Sequence, residues 1–197
     1  MSVQALAALA RRLNRGAGSP PIPALYFFTD PERTPDPVAI ARTLPAETAV
    51  VYRHFGAPDR TRVARCLAAI CRSRRLTLLI GADPDLAERV GAAGVHWPER
   101  KLPEHNDRRF RLVTVSAHSR AAVARAETWG ANACVLGPVF RTRSDSGNAT
   151  LGVFRASQIA RRTTIPVIAL GGVSLNNARK LNGRGFAGVA AIDAFLD

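Results

Sequence analysis

The stretch IPVIALGGVSLNNA, residues 165–178, places an apolar run, two adjacent glycines and the start of a helix in direct succession. The run at 166–170 predicts a strand, and the pattern at 175–182 predicts a helix. Because the run is continuously apolar and does not alternate with polar residues, it is typical of a parallel strand buried on both faces. The stretch therefore indicates one strand–helix unit of a parallel sheet.

Units of the same kind recur along the chain. Further apolar runs predict strands at 25–29, 49–53, 76–80, 94–97, 112–116, 133–137 and 188–192. Helical patterns between them are predicted at 38–43, 59–74, 84–90, 120–129 and 153–162. Eight strands that alternate with helices predict an α/β fold, a closed (β/α)8 TIM barrel. An open doubly wound sheet is the alternative, but the chain has neither GxGxxG nor GxxxxGK[ST], the phosphate motifs expected of that class.

The first residues differ from this pattern. Residues 1–23 predict an amphipathic N-terminal helix and a Pro-rich connector, and residues 24–197 predict a small barrel. The apolar face of that helix is formed by Leu6, Leu9, Ala10 and Leu13. Five residues follow the last predicted strand, so the last helix of the barrel is truncated. We expect the N-terminal helix to cover the gap that this leaves or to close the bottom of the barrel.

The charge balance is strongly basic. Among 197 residues there are 28 Lys and Arg against 15 Asp and Glu, a formal net charge of +13. Such an excess suggests a polyanionic partner. The cations are nearly all Arg and are scattered, and no block reaches five or six like charges. Solvated helix faces explain this pattern better than a nucleic-acid site, which remains the least favoured alternative. No apolar stretch approaches the roughly 18 residues of a membrane span, so we expect no membrane contact.

The number and spacing of the cysteines indicate the redox state of the cellular compartment. Cys66, Cys71 and Cys134 form no CxxC pair and have no histidine at metal-ligand spacing. They predict buried free thiols in a reducing compartment. The arginines near the N-terminus follow the apolar segment, which is not the order of a secretory signal. We therefore expect a cytoplasmic protein.

In a (β/α)8 barrel the active site is formed by the loops after the strands. Gly171 and Gly172 follow the seventh strand, where their N–H groups and the next helix could hold a phosphate. The loop after the sixth strand adds hydroxyls and cations that could clamp an anion: Arg141, Thr142, Arg143 and Ser144. His96 and His118 are candidate acid–base groups. The alternatives are a tight turn, a surface loop, and histidines that only bond a neighbouring backbone group.

The arrangement of short motifs carries a resemblance. In chain order these include LYFFTD (25–30), DLAERVGAAGVHW (85–97), VSAHS (115–119), LGPVFRT (136–142), IPVIALGGVSLNNA (165–178) and GFAGVAAIDAF (185–195). Their order and spacing resemble the thiamine phosphate synthase family, including its thiazole tautomerase branch. The resemblance implies a barrel of thiamine biosynthesis that joins hydroxymethylpyrimidine diphosphate to thiazole phosphate, with Mg²⁺ assisting the departure of diphosphate. It implies small phosphorylated ligands and leaves room for a homodimer.

The resemblance also implies roles for single residues. We expect three catalytic residues: Arg53 matches the strand-two Arg that contacts the diphosphate, Ser116 matches the strand-five Ser, and His118 lies just beyond it. The phosphate-binding set that we expect is Gly171, Gly172, Thr142, Ser144, Arg141 and Arg143.

The family's metal site is altered in this sequence. The two aspartates that bind Mg²⁺ in the family align with Ala82 and Lys101, so we assign no metal ligand. Mg²⁺ remains an option only if Asp83 substitutes with a shift of one residue. The alternative to a synthase is a barrel that binds a phosphorylated thiazole or pyrimidine ligand, or a metal-free isomerase that uses His96 or His118.

Overall fold

Eight parallel strands form a closed barrel in the computed structural model, which describes residues 3–142 and 149–196. The strands pair in chain order, and β8 closes onto β1. Their bounds are β1 Leu25–Phe28, β2 Ala49–Tyr52, β3 Thr77–Gly81, β4 Gly94–Trp97, β5 Leu112–Ala117, β6 Ala133–Leu136, β7 Val167–Ala169 and β8 Phe186–Ala191. The predicted (β/α)8 barrel is therefore confirmed, and the open doubly wound sheet is excluded.

Helices follow most of the strands. Those in the described ranges are α1 Val3–Gly16, α2 Pro37–Ala41, α3 Arg60–Arg74, α4 Pro84–Val90, α5 Arg120–Trp129, α6 Val153–Ala160 and α7 Leu175–Ala178. Short 3₁₀ helices occur at Glu99–Lys101, Arg179–Leu181 and Asp193–Phe195. The helix predicted at 175–182 thus divides into α7 and a 3₁₀ turn. None of the helices described has the length and apolarity to cross a membrane.

Helix α1 covers the outer side of the barrel where an eighth helix would lie. It contacts β8, β1 and α7. Its side chains Leu6 and Leu13 are buried in the same apolar layer as Phe27 of β1 and Val189 of β8. After β8 the described chain forms only the 3₁₀ turn Asp193–Phe195. Of the two roles expected for the N-terminal helix, the structure supports covering the gap.

The interior of the barrel is packed with side chains. Tyr26, Leu79 and Ile168 are fully buried in an inner cluster that is separate from the layer under the helices. This alternation of inward and outward residues is the normal filling of a small barrel. Towards the C-terminal end two polar side chains, His96 and Thr114, are also buried. Thr29 after β1 and His54 after β2 are buried as well, so polar side chains lie at the ends of several strands at this end of the barrel.

The three cysteines are free thiols, as expected. Cys71 and Cys134 are buried, and burial raises the pKa of each to about 12. Cys66 is exposed, which corrects the prediction that all three are buried. The reason is its position on α3, whose buried side chains include Val63 and Leu67 and leave Cys66 on the solvent side.

Candidate functional site

Arg53 lies directly after β2 at the C-terminal mouth of the barrel, where β1 fixes its orientation. Its backbone N–H donates to Thr29 Oγ1 at 2.8 Å, and its Nε donates to the carbonyl oxygen of Thr29 at 2.9 Å. The guanidinium carbon lies 5.2 Å from the centroid of the Phe28 ring. Its Nη2 is 3.8 Å from the Asp30 carboxylate. The charged group is therefore held in one orientation before any ligand binds.

The surroundings of Arg53 leave it charged but poorly hydrated. Burial lowers the pKa of Arg53 to about 10, an effect that Asp30 opposes and the positive charge of Arg33 reinforces. A pKa of about 10 still leaves the guanidinium protonated at neutral pH. Because water screens such a group less than a surface charge, its attraction for a phosphate oxygen is stronger than that of an exposed arginine.

An ion-pair network joins the ends of β1 and β8 beside Arg53. Arg33 lies 3.2 Å from Asp30 through Nη2 and 3.2 Å from both Asp193 oxygens through Nη1. Burial alone would raise the pKa of Asp30, but hydrogen bonds from Arg33 and from the backbone N–H of Glu32 lower it below its ordinary value. Asp193 has its charge paired by Arg33, so it adds less repulsion for an incoming anion than an unpaired carboxylate would.

His96 on β4 forms a hydrogen-bonded chain with two hydroxyls of β5. Its Nδ1 lies 2.8 Å from Thr114 Oγ1 and its Nε2 lies 2.8 Å from Ser116 Oγ. Burial, reinforced by the positive charge of Arg53, lowers the pKa of His96 to about 3. The ring therefore stays neutral at physiological pH and orients Ser116. This geometry favours the structural role for His96 over the acid–base role considered from the sequence.

His118 stands at the start of the β5–α5 connection, next to a carboxylate. Glu99 Oε2 accepts from the backbone N–H of His118 at 2.9 Å and lies 2.9 Å from its Nδ1. Arg125 Nη2 donates to Glu99 Oε1 at 2.8 Å. Burial would raise the pKa of Glu99, but His118 and Arg125 together lower it. A carboxylate that holds one imidazole nitrogen leaves the other available for proton transfer.

Gly171 and Gly172 are required where the loop after β7 meets the loop after β6. Their φ values are +94° and +61°. A Cβ on Gly171 would lie 2.5 Å from Pro138 Cα, and one on Gly172 would lie 2.0 Å from the carbonyl oxygen of Arg141. Asn177 closes this glycine loop, because its side chain donates to the Gly172 carbonyl at 2.7 Å and accepts from Ser174 N–H at 2.9 Å. The glycines thus permit close packing of two loops as well as a left-handed turn.

The same loop presents a run of backbone donors. Within the described ranges, the N–H groups of Gly171, Gly172 and Val173 donate no hydrogen bond. Successive N–H groups in a left-handed turn form a concave site that favours an anion. The glycine loop can therefore accept a phosphate without rearranging its own hydrogen bonds.

The structure describes only part of the loop after β6, for which we expected an anion-binding role. Arg141 is exposed and its carbonyl oxygen packs against Gly172, and Thr142 follows it. Arg143 and Ser144 lie outside the described residues, so their expected roles stay predictions. The structure brings Arg53, His96 and Ser116 to one region, with Phe28 in contact with the first two. The glycine loop adjoins Arg141 and forms a second group, and His118 with Glu99 forms a third.

Lys101, one of the two positions aligned with the family's metal ligands, belongs to a cationic cluster around an aromatic ring. The Phe55 ring lies over Gly81, where an added Cβ would be 3.1 Å from it. Lys101 Nζ is 5.2 Å and the Arg60 guanidinium carbon is 5.3 Å from the centroid of that ring. Arg60 Nη2 also donates to the Gly81 carbonyl at 2.8 Å. Positive charge therefore occupies this side of the mouth.

Asp83, the residue considered as a replacement metal ligand, already contacts other groups of the protein. Its Oδ1 accepts from the Leu86 N–H at 2.9 Å and so caps α4, and its Oδ2 lies 3.7 Å from Arg60 Nε. One oxygen is hydrogen-bonded and the other lies near a positive charge, so these contacts give no support to Asp83 as a replacement metal ligand. In the part of the chain that the structure describes, no group of three or more His, Cys, Asp or Glu side chains is placed to hold a metal ion.

Sequence reasoning missed the residues that hold the candidate groups in position. Thr29, Glu99 and Asn177 bond a predicted site residue or its loop, and Arg60 bonds the Gly81 carbonyl beside Ala82. Only Asn177 had a local signal, since it lies three residues after Ser174 at the spacing of a capping box. Thr29 lies within the motif at 25–30, but no short motif indicates that Thr29, Arg60 or Glu99 bonds a residue from another part of the barrel.

Comparisons with known proteins agree with one another. The model of the thiamine monophosphate synthase family matches residues 25–195. The thiamine-phosphate synthase of Chlorobium limicola is 31% identical over 182 residues, 89% of this chain and 87% of that protein. The thiamine-phosphate synthase of Prochlorococcus marinus is 32% identical over 155 residues, 76% of this chain but 45% of its own length. The structure of thiamine phosphate pyrophosphorylase from Pyrococcus furiosus superimposes with a TM-score of 0.74 at 25% identity, covering 95% of this chain and 93% of that one.

Proposed function

The chain belongs to the thiamine monophosphate synthase family, and from that membership we propose that it joins hydroxymethylpyrimidine diphosphate to thiazole phosphate. In this reaction the bond between the pyrimidine methylene carbon and a diphosphate oxygen breaks, and diphosphate leaves with the electron pair. The thiazole nitrogen forms the new bond to the same carbon. The protein must therefore stabilise negative charge that develops on the leaving oxygen.

The observation that carries this proposal is the preorganised guanidinium of Arg53. Thr29 and Phe28 hold it at the mouth, and burial keeps it poorly hydrated. A donor that is already oriented stabilises a developing anion without the cost of reorganisation. We assign to Arg53 the contact with the departing diphosphate.

Ser116 is the second donor that we propose for the reaction. With the proton of His96 on Nε2, that nitrogen donates to Ser116 Oγ and leaves the serine proton free to point outward. Thr114 then donates to Nδ1. The neutral imidazole fixes the direction of the serine hydroxyl, which can donate to an oxygen of the leaving group or of the bound phosphate.

The glycine loop suits the phosphate of the second substrate. Free N–H groups at Gly171, Gly172 and Val173 match a tetrahedral anion, and the loop after β6 would contribute Thr142 and Ser144. Arg141 and Arg143 would add charge. The resemblance to the family supports the assignments of Thr142, Ser144 and the glycines, the loop geometry adds support for the glycines, and the arginines rest on their charge and position alone.

Magnesium, which the family resemblance implies, does not fit the residues found here. Mg²⁺ requires oxygen ligands in near-octahedral geometry. The aligned positions hold Ala82 and Lys101, and the nearby Asp83 is engaged by α4 and Arg60. The ammonium of Lys101 and the guanidinium of Arg60 would repel a divalent cation. We therefore route no step of the reaction through a metal ion.

A second candidate function is supported by the pair formed by Glu99 and His118. A carboxylate that orients an imidazole is the usual arrangement of a general base. The alternative is a barrel that binds a phosphorylated thiazole or pyrimidine ligand and moves a proton on it without a metal. Incubation of thiazole phosphate with the protein in D₂O tests this, since His118→Gln should abolish any ligand C–H exchange seen by NMR.

The direct test of the synthase proposal is product formation. Purified protein would be incubated with both substrates in EDTA and, separately, in excess Mg²⁺, and thiamine phosphate would be quantified by chromatography. We expect product above the no-enzyme control in both. No product in either condition would overturn the proposal. Cytoplasmic location and a homodimer also remain predictions, to be checked by fractionation and by light scattering.

A further inference from the structure

A cavity of about 480 Å³ lies at the N-terminal end of the barrel, opposite the mouth that carries the candidate site. Its walls come from α1, from the connector at 21–25 and from the residues that enter β2, β3 and β5. Its apolar surface includes Ala7, Ile22 and Leu112. Cavities of roughly 300–1,000 Å³ with apolar walls and a few polar groups are typical of small-molecule sites.

Four arginines line this cavity: Arg11, Arg15, Arg75 and Arg111. Glu47 is the one acidic residue among the lining residues. Within the described ranges, none of the four guanidinium groups makes a hydrogen bond or an ion pair. Like charges around one opening repel each other, and a bound anion would relieve that repulsion.

Several arginines elsewhere in the molecule are paired, unlike these four. Arg33, Arg109 and Arg125 each pair with a carboxylate. Arg74 and Arg161 donate to backbone carbonyls. Among the residues described, unpaired arginines also occur on the outer helices, for example Arg120, but this cavity brings four of them around one opening.

A buried polar group adds to the same cavity. Thr48, one of the lining residues, is 1% exposed, and its hydroxyl has no hydrogen-bond partner in the described part of the chain. A buried hydroxyl without a partner is costly. The hydroxyl oxygen is itself shielded from solvent, so a ligand oxygen in the cavity would supply the partner once the Thr48 side chain turns towards it.

The two ends of the barrel are separate binding regions. Strands of three to six residues span about 10–20 Å at about 3.3 Å per residue. Between the ends the interior is filled by Tyr26, Leu79 and Ile168. A ligand at the N-terminal end would therefore not touch Arg53 or the glycine loop.

We propose that the cavity at the N-terminal end binds a phosphorylated organic anion of nucleotide size. The arginines recognise the phosphates, and the apolar walls accommodate a ring. The site is independent of the synthase reaction, because it shares no residue with the mouth of the barrel.

The test is titration calorimetry with AMP, ATP and adenosine as probes, at low and at physiological salt. We expect ATP and AMP to bind and adenosine to bind at least tenfold more weakly. The variants Arg11→Ala and Arg111→Ala should each weaken ATP binding about tenfold or more. Arg120→Ala removes an exposed arginine on α5 and serves as the matched control, and circular dichroism checks that each variant is folded.

Three results would overturn the proposal. One is the absence of ATP binding to the unmodified protein. Another is loss of ATP binding in Arg53→Ala but not in Arg11→Ala or Arg111→Ala, which would place the nucleotide at the mouth. The third is an equal effect of Arg120→Ala, which would mean that net charge alone attracts the probe. Thr48→Val gives an additional check, since it should weaken binding without changing the charge.

Discussion

The Nε2 atom of His96 lies 2.8 Å from the hydroxyl oxygen of Ser116, across the pairing of β4 with β5. The opposite nitrogen of the same ring lies 2.8 Å from Thr114 Oγ1. Both ring nitrogens are therefore satisfied inside the barrel, and the histidine needs no charge to stay there. The contact makes the buried imidazole of His96 a support that holds the Ser116 hydroxyl in position.

Replacement of Ser116 by Ala should lower kcat of the proposed reaction by about tenfold to 10²-fold, because one oriented donor to the developing anion is lost. The free energy of unfolding should change little, since Ser116 is only partly buried. Steady-state kinetics and urea unfolding measure the two quantities. An unchanged kcat would remove Ser116 from the reaction. Ser73→Ala on the exposed face of α3 is the control.

The pH dependence of stability should carry the signature of His96. Its pKa is about 3 in the fold, below the ordinary value of about 6.5 that it has when unfolded. Between these values the unfolded chain binds the extra proton, so stability is complete above about pH 6.5 and declines as pH falls towards 3, by at most about 1.4 kcal/mol per pH unit. Urea unfolding of His96→Gln should show a flatter curve in this window. His105→Gln, at an exposed histidine, should keep the original slope; equal slopes in all three proteins would contradict the prediction.

Arg53→Ala should reduce kcat/KM by about 10²-fold to 10³-fold, since a preorganised charge-assisted donor is removed. Arg53→Lys should not restore the rate, because a lysine lacks the planar group that bonds the Thr29 carbonyl while leaving other donors free. Arg62→Ala, which removes an exposed arginine paired with Asp59, should have no effect. Full activity of the lysine variant would show that charge alone suffices.

Gly172→Ala should destabilise the protein by at least about 3 kcal/mol, since strain at positive φ and overpacking add. The new Cβ would lie 2.0 Å from the Arg141 carbonyl oxygen, at φ +61°. Gly56→Ala is the matched control: its φ is +73°, but no atom lies within 4 Å of the new Cβ. It should cost only about 1 kcal/mol. Urea unfolding compares the two, and similar losses would mean that the close approach of the loops is not important.

The unmodified protein should bind diphosphate without a metal ion. Two substitutions should make this binding depend on Mg²⁺. Binding of inorganic diphosphate should be insensitive to EDTA, because Lys101 and Arg60 supply positive charge near Phe55. The double variant Ala82→Asp, Lys101→Asp should bind diphosphate only when Mg²⁺ is present. Lys180→Asp, at an exposed lysine, is the control. Strong Mg²⁺ dependence of the unmodified protein would contradict the fixed-charge interpretation.

The barrel could be predicted because its signal is local. Continuous apolar runs such as 76–80 and 133–137 predict strands that are buried on both faces. The helical patterns between these strands are compatible with few topologies besides a parallel barrel. The ends of those strands then indicated Arg53 and Gly171 as mouth residues. The burial of Cys66 was wrongly predicted. Helical periodicity predicts that a helix forms more reliably than it predicts which side chains of that helix are buried.

The sequence by itself determined the strand–helix order, the glycine turn after β7 and the residue types at the mouth, because these depend on neighbours along the chain. The tertiary structure alone decided how the charges and hydrogen bonds are paired. Arg33 and Asp193 are 160 positions apart, and His96 and Ser116 are 20 apart on different strands. Ion pairs and hydrogen bonds act over a few ångströms, so their partners are set only when the closed barrel brings distant segments together.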